Sequence, residues 1–418
     1  MITFTQEQQD ACQKLVEFML STTMDERCII LQGHAGTGKT TIINEAVEQA
    51  IKANELLVSL DNNRLPMVAH FTAMTHKAKH ALSQRVSDKV TTLHKFLGII
   101  PNKPAMAAKS LTPAYIQIII VDECSYIDYD VLKAINMCMG SSPTAKFIFM
   151  GDNYQLTPVG LNHCPIFMQG YPVVTLETVM RQQNAPIIAK ASHTLRQAIK
   201  QGYLDPINST EANNELMLLD KKAWDKAMIT AFKSDKAVKV IRYSNHQVKQ
   251  TNNKMFKHFT KRKEMQVGDT VINNSFYNHK FGETEYKYFT STSKAIYADT
   301  ELIISSINPS VHTSKLGRYK VNAITAHDPH TGENYKLYAP QLGECNPKTY
   351  DNRLLFADLR PAFACTVHKS QGSTYDEVFI NLNDFKNAYL RNPKETFRLL
   401  YVAFSRAKSK VYVTGDIV

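Results

Sequence analysis

The feature that constrains this chain most is a glycine-rich octapeptide between an apolar run and a helix-forming run. Residues Gly33–Thr40 fit the pattern G-x-x-x-x-G-K-[ST], and the β-rich run Cys28–Leu31 precedes them. In such loops, backbone N–H groups surround nucleotide phosphates at a helix start, and glycine adopts conformations that a Cβ would obstruct. The stretch Thr41–Ala50 then reads as an amphipathic helix. The sequence therefore predicts a nucleoside triphosphate site in an α/β fold.

This loop supplies most of the residues that we expect to contact the nucleotide. Lys39 can reach the β- and γ-phosphates as a point charge, and the Thr40 hydroxyl can bind Mg²⁺. Upstream, Thr5 and Gln8 have the spacing of a capping box, although the Gln8 carboxamide could instead read the adenine edge, since it both donates and accepts. The expected nucleotide contacts are Gln8, Gly33, Gly36, Thr37, Gly38, Lys39, Thr40 and Thr41.

A second strong pattern is an apolar run that ends in two acids. The stretch Tyr115–Glu123 is β-branched, which is typical of a strand buried on both faces of a parallel sheet. Ligands bind outside the carboxyl ends of such strands. We therefore expect Asp122 to hold Mg²⁺ and Glu123 to orient or deprotonate the attacking water. The next apolar run, Lys146–Asp152, predicts a strand that brings Gln155 to the same edge, near the γ-phosphate.

Composition narrows the class of protein. The 418 residues, 44% hydrophobic and 21% charged, are those of a globular chain with more than one domain. A formal net charge of +11 favours a polyanion such as nucleic acid, although a solvated lysine-rich surface would give the same count. The seven cysteines form no C-x-x-C pair, which predicts a reducing compartment and no zinc site. We find no secretory signal and no membrane-length apolar run.

Clusters of hydroxyl, imidazole and lysine groups are candidates for phosphate contact. They occur at Thr75–Leu82 and His368–Thr374, each at a predicted helix start, and Thr91–Leu97 is a further small polar-aromatic cluster. A basic helix face is more often simply solvated, so the residues alone leave both interpretations open. Arg181 and Arg406 are similarly open. Each is either a structural arginine, with Arg406 favoured at a helix C-terminus on dipole grounds, or a charge directed at phosphate.

The second half of the chain changes character. From about residue 261 to 360, short β-rich runs such as Thr270–Ile272 and Tyr335–Tyr338 alternate with turn clusters. This spacing predicts a small β-barrel inserted in a second α/β domain, which begins near the strand Ala237–Tyr243.

Taken in order, nine segments make the chain resemble superfamily 1 DNA helicases of the RecD-like and Dda-like branch, and among these the phage-type Dda-like helicases. They recur in the family's order over nearly the whole chain: FTQEQQDA, GHAGTGKTT, AMTHKAKHAL, TTLHKFL, IIIVDECSYID, MGDNYQLTPV, LETVMRQQNAPII, TVHKSQGSTYDEVFI and LLYVAFSRAK.

The resemblance implies an α/β fold with two RecA-like P-loop domains and ATP between them. The implied first domain is 1–177, with a small pin insertion at about 95–113. The second comprises 178–260 and 361–418, and an SH3-like β-barrel occupies 261–360.

It also implies roles for individual residues. The catalytic set is Lys39, Asp122, Glu123, Gln155, Arg181 and Arg406; Gly372 joins the nucleotide contacts, with ATP and Mg²⁺ as cofactors and Thr40 and Asp122 as the metal ligands. The residues that match positions facing the nucleic acid are Thr75, His76, Lys77, His94, Asn245, His368 and Lys369.

The implied function is an ATP-dependent DNA helicase that moves 5′ to 3′ along single-stranded DNA and opens forked duplex DNA. Such a protein would act as a monomer in a bacterial or phage-infected cytoplasm, with single-strand-binding or replication proteins as candidate partners. An RNA-directed helicase is an alternative, because motifs that read the backbone do not by themselves distinguish the 2′-hydroxyl. A nucleic-acid-binding ATPase or loading factor with little unwinding activity is the other.

Two features depart from the family pattern. The pin segment is short and proline-rich, which predicts a reduced strand-separating element. In some relatives an aromatic residue that stacks on adenine precedes the arginine, whereas this chain has Met180 before Arg181.

Overall fold

The computed structural model describes residues 4–23, 26–86, 89–99, 111–178, 185–205, 215–262, 264–274, 277, 296, 298, 300–314, 317–329, 331–341 and 356–417. The chain divides into two compact units. The first comprises Met1–Trp224, Ser370–Val378 and Phe385–Val418, and the second comprises Asp225–Lys369 and Phe379–Asp384. The domain boundaries expected from the sequence remain predictions.

The secondary structure alternates strands and helices through most of the described chain. Its helices are α1 (Gln6–Leu20), α2 (Lys39–Leu60), α3 (His76–Ser83), α4 (Leu93–Leu97), α5 (Tyr129–Ser141), α6 (Pro186–Gln201), α7 (Lys221–Ala231), α8 (Asn245–Thr260), α9 (Val367–Ser370), α10 (Lys386–Arg391) and α11 (Pro393–Ser405), with short 3-10 helices at Cys124–Tyr126, Pro165–Met168 and Leu382–Phe385. Its strands are β1 (Cys28–Gly33), β2 (Met67–Ala73), β3 (Thr91–Thr92), β4 (Ile116–Asp122), β5 (Ala145–Gly151), β6 (Val173–Leu176), β7 (Leu216–Leu218), β8 (Val238–Arg242), β9 (Thr270–Asn273), β10 (Thr300–Ser314), β11 (Gly317–His327), β12 (Asn334–Pro340), β13 (Leu359–Pro361), β14 (Ala364–Thr366), β15 (Tyr375–Asn381) and β16 (Ala407–Thr414). None of the described helices is long and apolar enough to cross a membrane.

The first unit is built on a six-stranded parallel sheet with the order β3-β2-β4-β5-β1-β6. Alternate residues of β4 enter different cores. Ile118 and Ile120 pack in the cluster that contains Ile42 of α2, whereas Ile119 and Val121 pack in the cluster that contains Ile135 of α5. The predicted mixed α/β fold with a buried parallel strand is therefore confirmed.

Local capping fixes where the helices of this unit begin and end. Thr5 caps α1, and its side chain and that of Gln8 form the predicted capping box. The apolar run Phe397–Lys408 reads as one helix in the sequence, but α11 ends at Ser405 and Arg406 is its C-cap. The chain leaves the helix there because the carbonyl of Arg406 accepts a hydrogen bond from Tyr375 and β16 begins at the next residue.

The second unit contains a five-stranded antiparallel sheet with the order β12-β11-β10-β9-β13. Its core includes Val271, Leu302, Ile304 and Leu337. The β-rich character expected for this region is confirmed, but β10 and β11 are much longer than the runs read from the sequence. They pair from Ile303 to Ser314, and this pairing includes serine-rich and proline-containing stretches that do not resemble strands. Closure into an SH3-like barrel remains a prediction, and most of the expected pin, residues 100–110, lies outside the described residues.

Candidate functional site

The carboxyl ends of the parallel strands collect the predicted site residues of the first unit along one edge. The phosphate loop follows β1, Asp122 ends β4, and Gln155 follows β5. Thr75 follows β2, and His94 follows β3 at the end of the sheet. Because neighbouring strands are parallel, these segments emerge at the same edge in the spatial order of the sheet.

The phosphate loop has the backbone that its glycines predict. Gly36 and Gly38 both adopt φ = 89°, in the left-handed region that favours glycine. A Cβ on Gly38 would lie 2.9 Å from Nε2 of Gln8, and a Cβ on Gly33 would lie 2.7 Å from Oγ1 of Thr37. The loop therefore closes tightly and begins α2 at Lys39, as an anion-binding helix start requires.

Lys39 is oriented across this loop. Its Nζ donates to the carbonyl oxygens of Gly33 at 2.6 Å and His34 at 2.9 Å. The ammonium group thus lies over the loop, where we expect the phosphates to bind. Thr40 and Thr41, the next two residues of α2, line a cavity beside this loop, as Lys39 does.

The two acids at the end of β4 differ in their backbones. Asp122 is the last residue of the strand, and its Oδ1 accepts a hydrogen bond from the backbone N–H of Glu123 at 2.9 Å. Glu123 has φ = 55° and ψ = 44°, one of two described non-glycine residues with positive φ. Such a conformation costs roughly 1–2 kcal/mol in an L-residue. The strand end therefore holds Glu123 in a strained position beside Asp122.

The electrostatics around Asp122 suit a cation. Burial, followed by the nearby Glu123 carboxylate, raises the pKa of Asp122 to about 7, although Lys39 opposes that shift. A divalent cation would favour the ionised carboxylate. Together with the hydroxyl of Thr40 this carboxylate forms an all-oxygen donor set, which suits Mg²⁺. The residues present therefore fit a nucleotide with its Mg²⁺.

These groups surround one cavity of about 360 Å³. Arg406 reaches it from the C-cap of α11. The guanidinium is buried and donates to the carbonyls of Val402 and Ser373 and to the Ser405 hydroxyl. The cavity is lined by Ala35, Gly36, Gly38, Lys39, Thr40, Thr41, Ala78, Ala81, Leu82, Arg85, Asp122, Glu123, Gly151, Gln155, Gly372, Thr374 and Arg406.

Sequence reasoning missed two of these residues, Arg85 and Thr374. Thr374 belongs to the cluster His368–Thr374, which the sequence suggested for nucleic-acid contact, whereas in the structure it lines the nucleotide cavity. Arg85 follows the end of α3 and lies close enough to Asp122 to lower the pKa of that carboxyl. No motif marks Arg85, because its place in the cavity depends on where α3 ends.

A third missed residue, Gln371, makes hydrogen bonds to three residues at the site. Its Oε1 accepts from the hydroxyl of Tyr126 at 2.5 Å, and its Nε2 donates to Oε1 of Gln155 at 2.8 Å. The same nitrogen lies 3.5 Å from Oε2 of Glu123. The motif around Gln371 was visible in the sequence, but its partners come from segments more than 200 residues away in the chain.

A buried carboxylate connects the phosphate loop with α11. The hydroxyl of Tyr401 donates to Oδ2 of Asp152 at 2.6 Å, and Nδ1 of His34 lies 3.8 Å from the same oxygen. Burial raises the pKa of Asp152, but the neighbouring His34 imidazole and Lys39 outweigh it, so that the pKa is lowered overall. Asp152 is therefore a buried anion between the loop and α11, the helix that Arg406 caps.

The nucleic-acid residues predicted in the first unit begin two helices on adjacent strands. Thr75 caps α3, where its Oγ1 accepts from the N–H of Ala78 at 3.1 Å. His76 and Lys77 are the first two residues of α3, and His94 lies in α4. Because β2 and β3 pair in parallel, the starts of α3 and α4 are neighbours at one edge.

The corresponding residues of the second unit also share an edge. Asn245 begins α8 after β8, and His368 and Lys369 lie in α9 after β14, which pairs with β8 in parallel. His368 is exposed. Lys369 donates through Nζ to Oδ1 of Asn274 at 2.9 Å and to its carbonyl oxygen at 3.1 Å.

Two predicted nucleotide contacts need separate comment. Gln8 is buried, and its Nε2 donates to the carbonyl of Thr37 at 3.1 Å while its Oε1 accepts from the N–H of Thr5. It therefore connects α1 to the phosphate loop, and contact with adenine remains a prediction. Arg181, like Met180, lies outside the described residues.

Comparisons with known proteins agree with this arrangement. A family model for an AAA domain matches residues 3–214, more than half of the chain, and a model for a UvrD-like helicase C-terminal domain matches residues 361–414. The ATP-dependent DNA helicase dda of Enterobacteria phage T4 is 23% identical over 431 residues, covering 92% of this chain and 93% of its own length. Uncharacterized protein R530 of Acanthamoeba polyphaga mimivirus is 23% identical over 503 residues, covering 98% and 99%.

A RecD subunit of the RecBCD enzyme from Buchnera aphidicola (Schizaphis graminum) is 30% identical over 155 residues, covering 33% of this chain and 24% of that subunit. Among solved structures, one of two coordinating Pif1 helicases at forked duplex DNA matches all of this chain and 93% of the Pif1 chain, with a TM-score of 0.51 and 16% identity. A Pif1 helicase from Bacteroides with ADP-AlF3 and single-stranded DNA matches all of this chain and 94% of its own, at 0.50 and 17%. At these identities the structural likeness concerns the fold alone.

Proposed function

We propose that this chain, which belongs to the AAA-domain family and to the superfamily 1 helicases of the RecD, Dda and Pif1 type, is an ATP-dependent DNA helicase. It translocates 5′ to 3′ along single-stranded DNA and opens forked duplex DNA. The observation that carries this proposal is the single cavity that brings Lys39, Asp122, Glu123, Gln155 and Arg406 together. The dda relative is named an ATP-dependent DNA helicase, and the match covers nearly its whole length, which supports DNA as the substrate class.

We assign each of the cavity residues a separate role in ATP hydrolysis. Bound ATP with Mg²⁺ supplies the phosphoanhydride whose cleavage drives movement. Lys39 and the loop N–H groups hold the phosphates, and Thr40 and Asp122 provide oxygen ligands for the metal. Glu123 orients a water molecule and accepts its proton. Arg406 neutralises the charge that develops on the γ-phosphate, with Arg181 as a second such group.

Movement requires that the nucleotide and nucleic-acid residues respond to each other. A two-state protein converts ligand binding into motion only if the two states bind that ligand with different affinity. We assign the strand contacts to Thr75, His76, Lys77 and His94 in one domain and to Asn245, His368 and Lys369 in the other. ATP-driven approach of two RecA-like domains, with the boundaries 1–177 and 178–260 plus 361–418, would change their spacing and advance the strand.

The primary test is ATP hydrolysis without nucleic acid, with single-stranded DNA, and with single-stranded RNA of matched sequence. We expect DNA to stimulate turnover strongly and RNA to stimulate it weakly. Stimulation chiefly by RNA would replace the proposal with the RNA-directed helicase, and stimulation by neither would refute both.

DNA affinity should fall steeply with salt, because phosphate contacts release counterions; a flat salt response would exclude backbone binding.

Polarity needs a separate measurement. Partial duplexes with a single 5′ or a single 3′ overhang should differ, with unwinding only from the 5′ overhang. Unwinding from the 3′ overhang would overturn the proposed direction. DNA-stimulated hydrolysis without unwinding of either substrate would instead favour the loading-factor alternative.

A further inference from the structure

We propose that Gln371 is a positioning residue that orients Gln155 and Glu123 and makes their geometry depend on the nucleic-acid segment next to it. This inference rests on the proposed function, because it concerns how nucleic acid stimulates hydrolysis. Gln371 is 5% exposed, and its carboxamide reaches three side chains that come from the residues after β4 and from the loop after β5.

The partners dictate which way the carboxamide of Gln371 faces. Glu123 is a carboxylate and accepts hydrogen bonds only, so the amino group of Gln371 must point toward it. The opposite end, Oε1, then receives the hydroxyl hydrogen of Tyr126 at 2.5 Å. If the amide were reversed, acceptor oxygens of Gln371 and Glu123 would face each other. Tyr126 therefore stabilises the orientation of the Gln371 amide that Glu123 dictates.

The orientation of Gln371 fixes that of Gln155 in turn. Oε1 of Gln155 accepts from Nε2 of Gln371 at 2.8 Å, so the amino group of Gln155 is the end left for the cavity that this residue lines. Phosphate oxygens accept hydrogen bonds, and a carboxamide can serve them only with its N–H₂ end. Gln371 thus presents Gln155 to the γ-phosphate as a donor.

The position of Gln371 in the chain supplies the connection to nucleic acid. It comes directly after α9, which contains His368 and Lys369, and directly before Gly372, which lines the cavity with φ = 77°. A strand that binds His368 and Lys369 would displace the short segment on which Gln371 is carried. Because the Gln371–Glu123 distance of 3.5 Å is at the limit of a hydrogen bond, a small displacement would strengthen or break that contact.

The first test is Gln371→Ala, with hydrolysis measured with and without single-stranded DNA. We expect DNA-stimulated kcat to fall by roughly 10- to 100-fold, close to the range for loss of a preorganising hydrogen-bond group. The basal kcat should fall by a smaller factor, so that the ratio of stimulated to basal kcat drops. The KM for ATP should change less than about threefold, because the phosphate loop is intact. Equal losses of basal and stimulated kcat, or a purely raised KM, would overturn the proposal.

A second variant separates hydrogen bonding from packing. Gln371→Met nearly keeps the size of the side chain but can neither donate to Gln155 or Glu123 nor accept from Tyr126. We expect stimulation as low as in Gln371→Ala, and thermal unfolding checks that the variant is folded. Retained stimulation in Gln371→Met would show that hydrogen bonding by Gln371 is not required.

A double-mutant cycle tests whether Tyr126 acts through Gln371. Tyr126→Phe removes one hydroxyl and should lower DNA-stimulated kcat by about threefold to tenfold, while Tyr126→Phe in the Gln371→Ala background should have no further effect. Tyr129→Phe is the matched control, because the Tyr129 hydroxyl bonds His163 at an exposed site. Additive effects of Tyr126→Phe and Gln371→Ala would refute the relay. Absence of DNA stimulation in the unmutated protein would instead refute the proposed function.

Discussion

Among the three sheets of the described residues, the six-stranded parallel sheet and the five-stranded antiparallel sheet are similar in size but differ in what they can display. The six-stranded parallel sheet ends all its strands at one edge, and that edge holds the phosphate loop, Asp122 and Gln155. The five-stranded antiparallel sheet directs successive strands toward opposite edges, and none of the predicted nucleotide or nucleic-acid residues lies in its strands. Strand direction, more than amino-acid composition, decides where this chain concentrates chemistry.

The comparison has an energetic side. In the parallel sheet, both faces are covered by apolar clusters, and the phosphate loop, Asp122 and Gln155 lie at or beyond the strand ends. The antiparallel sheet has a compact cluster around Leu302 and Ile304 and a smaller one around Val321 and Phe356, and most other described side chains of its strands are half-buried or exposed. We therefore expect substitutions at the edge of the parallel sheet to affect catalysis, and substitutions in the antiparallel sheet to affect stability.

The largest effect should follow from Lys39→Ala. Loss of the cation that neutralises the phosphates should lower hydrolysis by about 10³-fold or more, as for other groups that stabilise transferring phosphate. Steady-state phosphate release checks this. Lys52→Ala, on the exposed face of the same helix, is the control and should behave as the unmutated protein. Appreciable turnover by Lys39→Ala would mean that this edge is not the catalytic one.

Arg406→Ala should separate catalysis from binding. Removing the buried guanidinium should reduce kcat by about 10³-fold, in the range of arginine-finger removal, with nucleotide affinity changed less than about threefold. Turnover and fluorescent-nucleotide binding measure the two quantities, and the exposed Arg391→Ala serves as the control. If affinity and turnover fell equally, Arg406 would be a ground-state contact, or the fold around α11 would have been lost.

In the antiparallel sheet, Leu302→Ala should destabilise without touching the nucleotide site. Leu302 is fully buried, so we expect a loss of roughly 2–5 kcal/mol in the free energy of unfolding, measured by urea denaturation. Nucleotide affinity should stay within about twofold. The half-exposed Val311→Ala should cost far less. A parallel loss of nucleotide affinity in Leu302→Ala would contradict the division of roles between the sheets.

The smallest effect concerns a buried lysine of the parallel sheet. Burial lowers the pKa of Lys146 to about 8, and its Nζ donates to the carbonyls of Phe18 and Ser21 at the end of α1. Between that pKa and the usual value of 10.5 the unfolded chain binds more protons, so this group makes stability rise with pH. The rise should be about 1–3 kcal/mol.

Lys146→Met provides the comparison for that pH dependence. Unfolding of both proteins between about pH 7 and 10 should give a difference in stability that changes with pH, because the methionine side chain of the variant has no proton to lose. Other titrating groups cancel in the difference. A constant difference across this range would show that Lys146 keeps an ordinary pKa in the folded protein.

How well the sequence predicts a feature of this molecule depends on how local that feature is in the chain. Contiguous patterns predicted the phosphate loop, the strand ending at Asp122 and the cap formed by Thr5 and Gln8, because each is decided within a few residues. The roles of Arg85 and Gln371 depend on which segments meet in space, and no local pattern encodes that.

The length of β10 and β11 was missed for a related reason. Their outer halves are stabilised by pairing with each other, while the residues themselves, including Pro309, have weak strand propensity. Expectations for Gln8 at adenine, Arg181, the pin and the barrel remain predictions.

The left-handed backbone of Glu123 has a consequence for how this protein evolves. Glycine or asparagine would adopt that conformation at less cost, so Glu123→Gly or Glu123→Asn should raise the thermal midpoint even as it abolishes hydrolysis. Natural selection for folding alone would therefore remove the acid. A descendant of this chain that no longer needed to hydrolyse ATP would be expected to lose Glu123 early.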